Sequence, residues 1–284
     1  MGYLEIPNLY KDQDILLFKE CYALEKIHGT SAHISWNDDK LGFFSGENID
    51  YLTNMFDHAF LTEKFLELNS PKVMIYGEFY GGKCQGMSDT YGKTPRFVVF
   101  EVKIMESWLD VPNAEQISKR FNLDFVPYVR CKTDIDLLNE LRDKPSEQAI
   151  KCGILEPKKR EGIVLRPLIE VKRNNGARII TKHKADDFRE TKSKRPLDKD
   201  KLAILSNAKD IAEEWVTEMR LSHVLQGFEN PNIENTGEIT KAMFTDIVKE
   251  SKGEVENLDL AKKEINRKTA LMFKNRLKNA LLLK

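Results

Sequence analysis

The residues best suited to chemistry fall in four short stretches. In Glu25-Lys26-Ile27-His28-Gly29-Thr30-Ser31, a lysine closes the apolar run Cys21 to Leu24 and a His-Gly turn follows. An amine at a strand end beside a tight turn can act as a nucleophile, but only as the neutral amine, so desolvation or nearby positive charge must lower its pKa. The other reading is a surface lysine ahead of a hairpin. In Gly77-Glu78, a carboxylate ends a buried strand between glycines and can reach a ligand in a cleft, or is an exposed turn residue. Glu161-Gly162 opens a short apolar strand that ends in Arg166-Pro167. In Lys182-His183-Lys184, strand alternation puts both lysines on one face and His183 on the other. Like charges on one face repel unless an anion lies between them; an edge strand guarded by lysines is the alternative.

These side chains need rigid elements around them. Residues 21–36 read as a hairpin carrying Lys26, and residues 40–45 as a further strand ended by Gly46. Apolar spacing over 51–69 predicts a helix that Pro71 stops. Val73 to Tyr80 and Phe97 to Val102 read as strands, with the polar segment 83–95 between them as a mobile loop. Helices are expected over 114–122 and 134–151, and a last strand over 177–184. Residues 191–200 read as a polar linker. Beyond it the strand signals stop, and helices are expected over 200–226, 238–251 and 258–283. The last of these places Leu258, Ala261, Ile265, Met272, Leu277 and Leu281 on one side, with a basic opposite face of Lys262, Lys263, Arg267, Lys268, Lys274, Arg276 and Lys278.

Composition bounds the possibilities. With 45 basic and 45 acidic side chains, the overall charge says nothing about nucleic acid, so a binding surface must come from charge segregation. Such segregation exists: residues 151–195 hold 14 Lys/Arg against 6 Asp/Glu. A basic zone suits phosphate, although a solvated face gives the same count. The four cysteines, Cys21, Cys84, Cys131 and Cys152, have no zinc-ligand spacing and read as reduced thiols. Neither a membrane span nor a signal peptide is apparent, so an intracellular, cytoplasmic protein is expected.

In this order, Lys26-x-His28-Gly29, Gly77-Glu78, Val99-Phe100-Glu101, Glu161-Gly162 and Lys182-x-Lys184 resemble motifs I, III, IIIa, IV and V of the covalent nucleotidyltransferase superfamily, which holds RNA ligases, DNA ligases and mRNA capping enzymes. Most members carry Lys-x-Asp-Gly. The sequence Glu-Lys-Ile-His-Gly-Thr is similar to the nick-sealing (type 2) RNA ligases typified by phage enzymes. The resemblance spans about residues 22–190. It implies an α+β fold. A nucleotidyltransferase (adenylyltransferase) domain of antiparallel sheets with flanking helices would cover 1–192, and a small all-helical C-terminal domain 196–284.

By the same resemblance, Lys26 attacks the α phosphate of ATP and forms lysyl-AMP. Glu78 holds the ribose hydroxyls, Phe100 stacks on adenine and Glu25 helps read the adenine amino edge. Glu161 organises a hydrated Mg2+ or Mn2+, Lys182 and Lys184 bind the α phosphate, and His28 is needed for activity. AMP then passes to an RNA 5′-phosphate, and a 3′-OH displaces it. The implied substrate is nicked duplex RNA or an RNA–DNA hybrid, the role RNA repair, and the active species a monomer. Two positions depart from the family: Ser31 stands where Asn is usual, and Phe44-Ser45-Gly46-Glu47 lacks the arginine usual after motif I. A GTP-using capping-type guanylyltransferase, a DNA ligase and a non-catalytic RNA-binding module are the alternatives. The helical tail argues against capping, and retention of Lys26, Glu161 and both late lysines argues against loss of chemistry.

Overall fold

Alternating apolar and polar side chains organise the first 185 residues into two antiparallel sheets. The structure is a computed structural model that describes residues 3–46, 48–193, 207–256 and 258–282. Its strands are β1 (Glu20–Lys26), β2 (Thr30–Asn37), β3 (Lys40–Ser45), β4 (Lys72–Tyr80), β5 (Arg96–Ile104), β6 (Ser107–Trp108), β7 (Tyr128–Lys132), β8 (Gly162–Pro167) and β9 (Thr181–Lys184). One sheet has the order β7-β1-β8-β9, the other β3-β2-β4-β5-β6. Strands β6 and β7 have no counterpart among the sequence expectations, because each is short and half polar.

The period of two decides which face is buried. Ala32, Ile34 and Trp36 of β2 alternate into the core with Val73 and Ile75 of β4. Trp36 stacks on Phe65 with centroids 5.4 Å apart, and Phe65 packs on Phe121 at 4.6 Å. The other face of the same sheet carries the opposed pairs Ser31–Glu78 and His33–Tyr76. The β4–β5 register shifts between Tyr76, opposite Glu101, and Gly77, opposite Val99, which leaves Phe100 in a bulge.

Helices flank the sheets: α1 (Ile49–Asn54), α2 (His58–Leu68), α3 (Ser88–Tyr91), α4 (Val111–Arg120), α5 (Ile135–Asp143) and α6 (Glu147–Lys151). The helix expected over 51–69 is two. Asp57 interrupts it by accepting the Ala59 and Phe60 N–H groups as the N-cap of α2, a bond typically worth about 1 kcal/mol. The helix expected over 134–151 breaks likewise, at Pro145, with Ser146 capping α6. The loop expected over 83–95 instead holds α3, because Cys84 and Tyr91 are buried there. Only the end of the strand expected over 177–184 is strand.

The second unit, residues 186–284, is helical where described. It contains α7 (Ala208–Trp215), α8 (Glu218–Leu225), α9 (Thr236–Glu250) and α10 (Leu258–Leu282). Its core includes Ile211, Trp215, Leu221, Ile239, Met243, Ile247, Ala261, Ile265 and Phe273. The helix expected over 200–226 divides at Thr217, which caps α8. The expected linker lies outside the described residues from 194 on, as do the first seven residues of that helix (200–206) and Leu283. Leu281 is described in its backbone alone. Part of the basic face of α10 is used within the unit: Lys268 Nζ is 2.9 Å from Glu213 Oε2, and Arg276 donates to Ser222 Oγ at 2.6 Å. All four cysteines are free thiols. Among the described residues no helix is long and apolar enough to cross a membrane.

Candidate active site

Strand register builds the site. Lys26, the last residue of β1, lies opposite Gly162 of β8, and Gly162 lies opposite Lys184 of β9. Opposed residues share a face, so two lysines flank a residue with no side chain. Gly162 has φ +150, and a Cβ there would sit 2.2 Å from the His183 carbonyl oxygen. The gap is therefore a requirement of the backbone. Glu161, one residue earlier, fills it: Oε2 is 2.9 Å from Lys26 Nζ and 3.3 Å from His28 Nδ1, while Oε1 is 3.1 Å from Lys184 Nζ. Burial would raise the Glu161 pKa, but the two ammoniums and the His28 imidazole outweigh it and hold the carboxyl well below the usual range.

A second carboxylate closes the site from the other sheet. Glu78 Oε1 accepts the Gly29 N–H at 3.0 Å. A Cβ on Gly29 would lie 2.3 Å from the Phe79 carbonyl oxygen, so only glycine allows β4 this close. Burial pushes Glu78 up to about 7; Lys26 opposes the rise and Glu161 adds to it. The His28 N–H donates to the Tyr91 hydroxyl at 3.3 Å. Tyr91 thus props the turn after Lys26, a role hidden by the polar segment around it; an isolated aromatic there was the available signal. Opposite Glu78, the Ser31 Oγ is buried and has no hydrogen-bond partner among the described residues.

The structure brings Lys26, His28, Glu161 and Lys184 into contact, with Glu78 joined through Gly29. Lys182 pairs with Val164, one step along β9 from Lys184 on the same face, and is buried. His183 points the other way, onto Asn139 Oδ1 at 2.8 Å. As the neighbour of Lys26 on a strand Glu25 faces away, and its buried carboxylate accepts from Ser146 Oγ at 2.5 Å and from the Glu147 N–H at 2.9 Å. Arg160 stands 3.7 Å off. Both oxygens accept hydrogen bonds, so Glu25 anchors the start of α6 from the face opposite Lys26. Phe100 is half-buried, with its ring 4.9 Å from that of Tyr3 at 79°. Where the usual arginine after motif I is missing, Phe44 stacks on His33 at 5.0 Å.

A second group of charges lies near the other end of β8. Arg166 Nη1 is 3.0 Å from Glu101 Oε1, and Arg178 Nη1 donates to Glu101 Oε2 at 2.9 Å. Both arginines also pair with Glu170. Arg178 lies over the Trp108 ring at 4.1 Å. This quartet ties β5 of one sheet to β8 of the other. In the helical unit, Glu190, His223 and Asp246 approach one another as metal ligands could. Arg220, fully buried, bonds Asp246 and lies 3.7 Å from Glu190, so a fixed guanidinium already balances those carboxylates.

With two lysines on it, Glu161 suits a divalent cation only together with a polyphosphate, whose negative charge offsets the ammoniums. One carboxylate, completed by phosphate oxygens and water, is a common environment of Mg2+ or Mn2+ in nucleotide sites. Glu161 is the group that would hold it.

A family model described as RNA ligase matches residues 19–184, more than half of the chain. No curated protein gives a significant match. Solved structures of Naegleria gruberi RNA ligase share the fold. A mutant with AMP and Mn aligns at TM-score 0.52 and 16% identity, over 66% of this chain and 57% of that one. A mutant with ATP and Mn and the protein with PPi each align at TM-score 0.51 and 16% identity, with the same coverage. The alignment thus spans little more than half the length of those relatives.

Proposed function

The chain belongs to the RNA ligase family, and from that we propose that it is an ATP-dependent RNA ligase acting through a lysyl-AMP intermediate on Lys26. One observation carries the reading: Lys26, His28 and Lys184 meet on a single buried carboxylate, Glu161, across three paired strands. Structures of the Naegleria relative hold ATP or AMP with Mn, and one holds PPi, which supports nucleotide and metal use here.

On this reading each group has a task. Lys26 must lose its proton before it attacks. Lys184 shares Glu161, so the carboxylate keeps a cationic partner when Lys26 becomes neutral. The amine nitrogen then bonds the α phosphorus of ATP, the bond to the bridging oxygen breaks, and pyrophosphate leaves. Lys182 and Lys184, on one face of β9, supply positive charge where the phosphoryl oxygens gain negative charge. Phe100 offers a ring to adenine, and Glu78 an acceptor for ribose hydroxyls. A divalent cation at Glu161 would add Lewis-acid stabilisation of the phosphates. In the later steps the AMP passes to an RNA 5′-phosphate and is displaced by a 3′-OH. The Ser31 Oγ, opposite Glu78 and without a partner among the described residues, would have to be uncovered before it could meet an incoming end.

We propose further that the substrate is a nick in duplex RNA or an RNA–DNA hybrid, met during RNA repair. The motif Lys-Ile-His-Gly and the helical unit after β9 support this over a capping or DNA-ligase role. An A-form duplex would be read by shape and 2′-hydroxyls. The test is sealing of matched nicks with a 3′-OH ribose or a 3′-OH deoxyribose. Joining only at the ribose end supports RNA ligation; equal joining of DNA contradicts it. Lys26→Ala should seal neither.

A further inference from the structure

The segment that precedes the first strand touches two elements of the nucleotide site. Lys182 of β9 donates its N–H to the Pro7 carbonyl at 2.8 Å, and its own carbonyl accepts the Leu9 N–H at 2.8 Å. Thr181 Oγ1 donates to the same Pro7 carbonyl at 2.9 Å. The segment therefore makes a single parallel bridge to β9, Asn8 with Lys182. Its other end packs Tyr3 against side chains of the five-stranded sheet. The Tyr3 ring meets Phe100 at 4.9 Å, Tyr76 at 5.1 Å and Trp108 at 5.9 Å, each nearly edge to face. The Tyr3 hydroxyl donates to Glu101 and accepts from Arg178 Nη1 at 3.3 Å. Ring and hydroxyl are both tied, so Tyr3 has little freedom.

Phe100 needs such a neighbour. It sits in the β-bulge, where the ladder pairs Tyr76 with Glu101 and Gly77 with Val99 and leaves it unpaired. A bulge re-aims the side chain it carries, and the ring on its flank then sets the angle. Edge-to-face contacts are orientation-dependent, so Tyr3 selects one tilt of the Phe100 ring. We propose that Tyr3 is a positioning residue for nucleotide binding, acting through Phe100, and that residues 3–9 brace the adenine and phosphate sides of the site together. The proposal rests on the reading of Phe100 as the ring that receives the purine.

The test is self-adenylylation of the full chain, with rates measured against ATP concentration after pyrophosphate treatment. Tyr3→Ala should raise KM for ATP about fivefold, the worth of one aromatic pair, with kcat within about twofold. Tyr3→Phe keeps the ring and should restore KM to within about twofold of the wild type. Tyr3→Leu fills the space without a ring and should behave as Tyr3→Ala, which decides the matter if the alanine variant does not fold. A melting temperature and active fraction lowered at unchanged KM would make Tyr3 a packing residue only and overturn the proposal. So would Tyr3→Phe behaving as Tyr3→Ala. A wild type that forms no AMP adduct at all would overturn the reading of the site itself, a result distinct from either.

Discussion

Two buried carboxylates at opposite ends of β8 are met by cations in opposite ways. Glu161 faces lysines and a histidine; Glu101 faces arginines. The arginine group is balanced by Glu170, giving two positive and two negative side chains locked by several donors each. Guanidinium is planar, bidentate and does not deprotonate, so such a group fixes the strands and the Tyr3 hydroxyl in place and has no proton to give up. At the lysine group, Glu161 meets two ammoniums, and the second carboxylate, Glu78, has its pKa pushed up to about 7. Positive charge is in surplus and can be transferred or neutralised. Lysine can lose its proton and attack; arginine cannot. The same strand thus carries lysines that can lose a proton at its start and an arginine brace near its end, and the choice of cation separates the two.

The comparison breaks most sharply if the cations are exchanged. Lys26→Arg keeps the positive charge and should still abolish adenylylation, with a loss of at least about a thousandfold, read as missing AMP adduct by intact mass. Adduct formation by this variant would mean that charge, not the amine, is what matters there. Next in size is removal of each carboxylate. Glu101→Ala leaves two buried arginines short of a partner and should cost about 3–5 kcal/mol in urea unfolding. Glu161→Ala, whose lysine partners reach solvent in part, should cost less, about 1–2 kcal/mol, yet end adenylylation. Equal stability losses would erase the distinction between brace and site.

A smaller effect concerns Glu78. Its folded pKa of about 7 lies above the ordinary value of 4.5, so between these values the folded state binds more protons than the unfolded one. Stability therefore falls as pH rises from about 4.5 through 7. Glu78→Gln removes that slope and should be more stable than the wild type at pH 8 by about 1–3 kcal/mol, while binding ATP more weakly. An unchanged slope would show that Glu78 is not held in this state. Smallest is Arg178→Lys, which keeps the charge but loses the bidentate fork and should cost about 1 kcal/mol.

What could be read in advance follows the same division. Lys26-x-His28-Gly29, Glu161-Gly162 and Lys182-x-Lys184 are local: neighbours in sequence whose strand alternation fixes their faces. His183 turning away to Asn139 follows from that alternation alone. The brace is not local. Tyr3, Glu101, Arg166, Glu170 and Arg178 come from distant positions, and each looks like an ordinary polar or charged residue until the sheets are stacked. The partners of Glu25 were less legible: Ser146 and Glu147 belong to a helix start that a continuous 134–151 helix concealed. The capping residues Asp57 and Ser146 were legible signals of those breaks, outweighed by the apolar spacing on either side.

The most direct measurement is the site of nucleotide attachment. The purified chain would be stripped with pyrophosphate, incubated with ATP and Mg2+, digested under conditions that keep the phosphoramide, and mapped by mass spectrometry. AMP on Lys26, absent with GTP and absent in Lys26→Ala, is the predicted result. AMP on Lys182 or Lys184, or no adduct on the stripped chain, would contradict the assignment of Lys26 as the nucleophile.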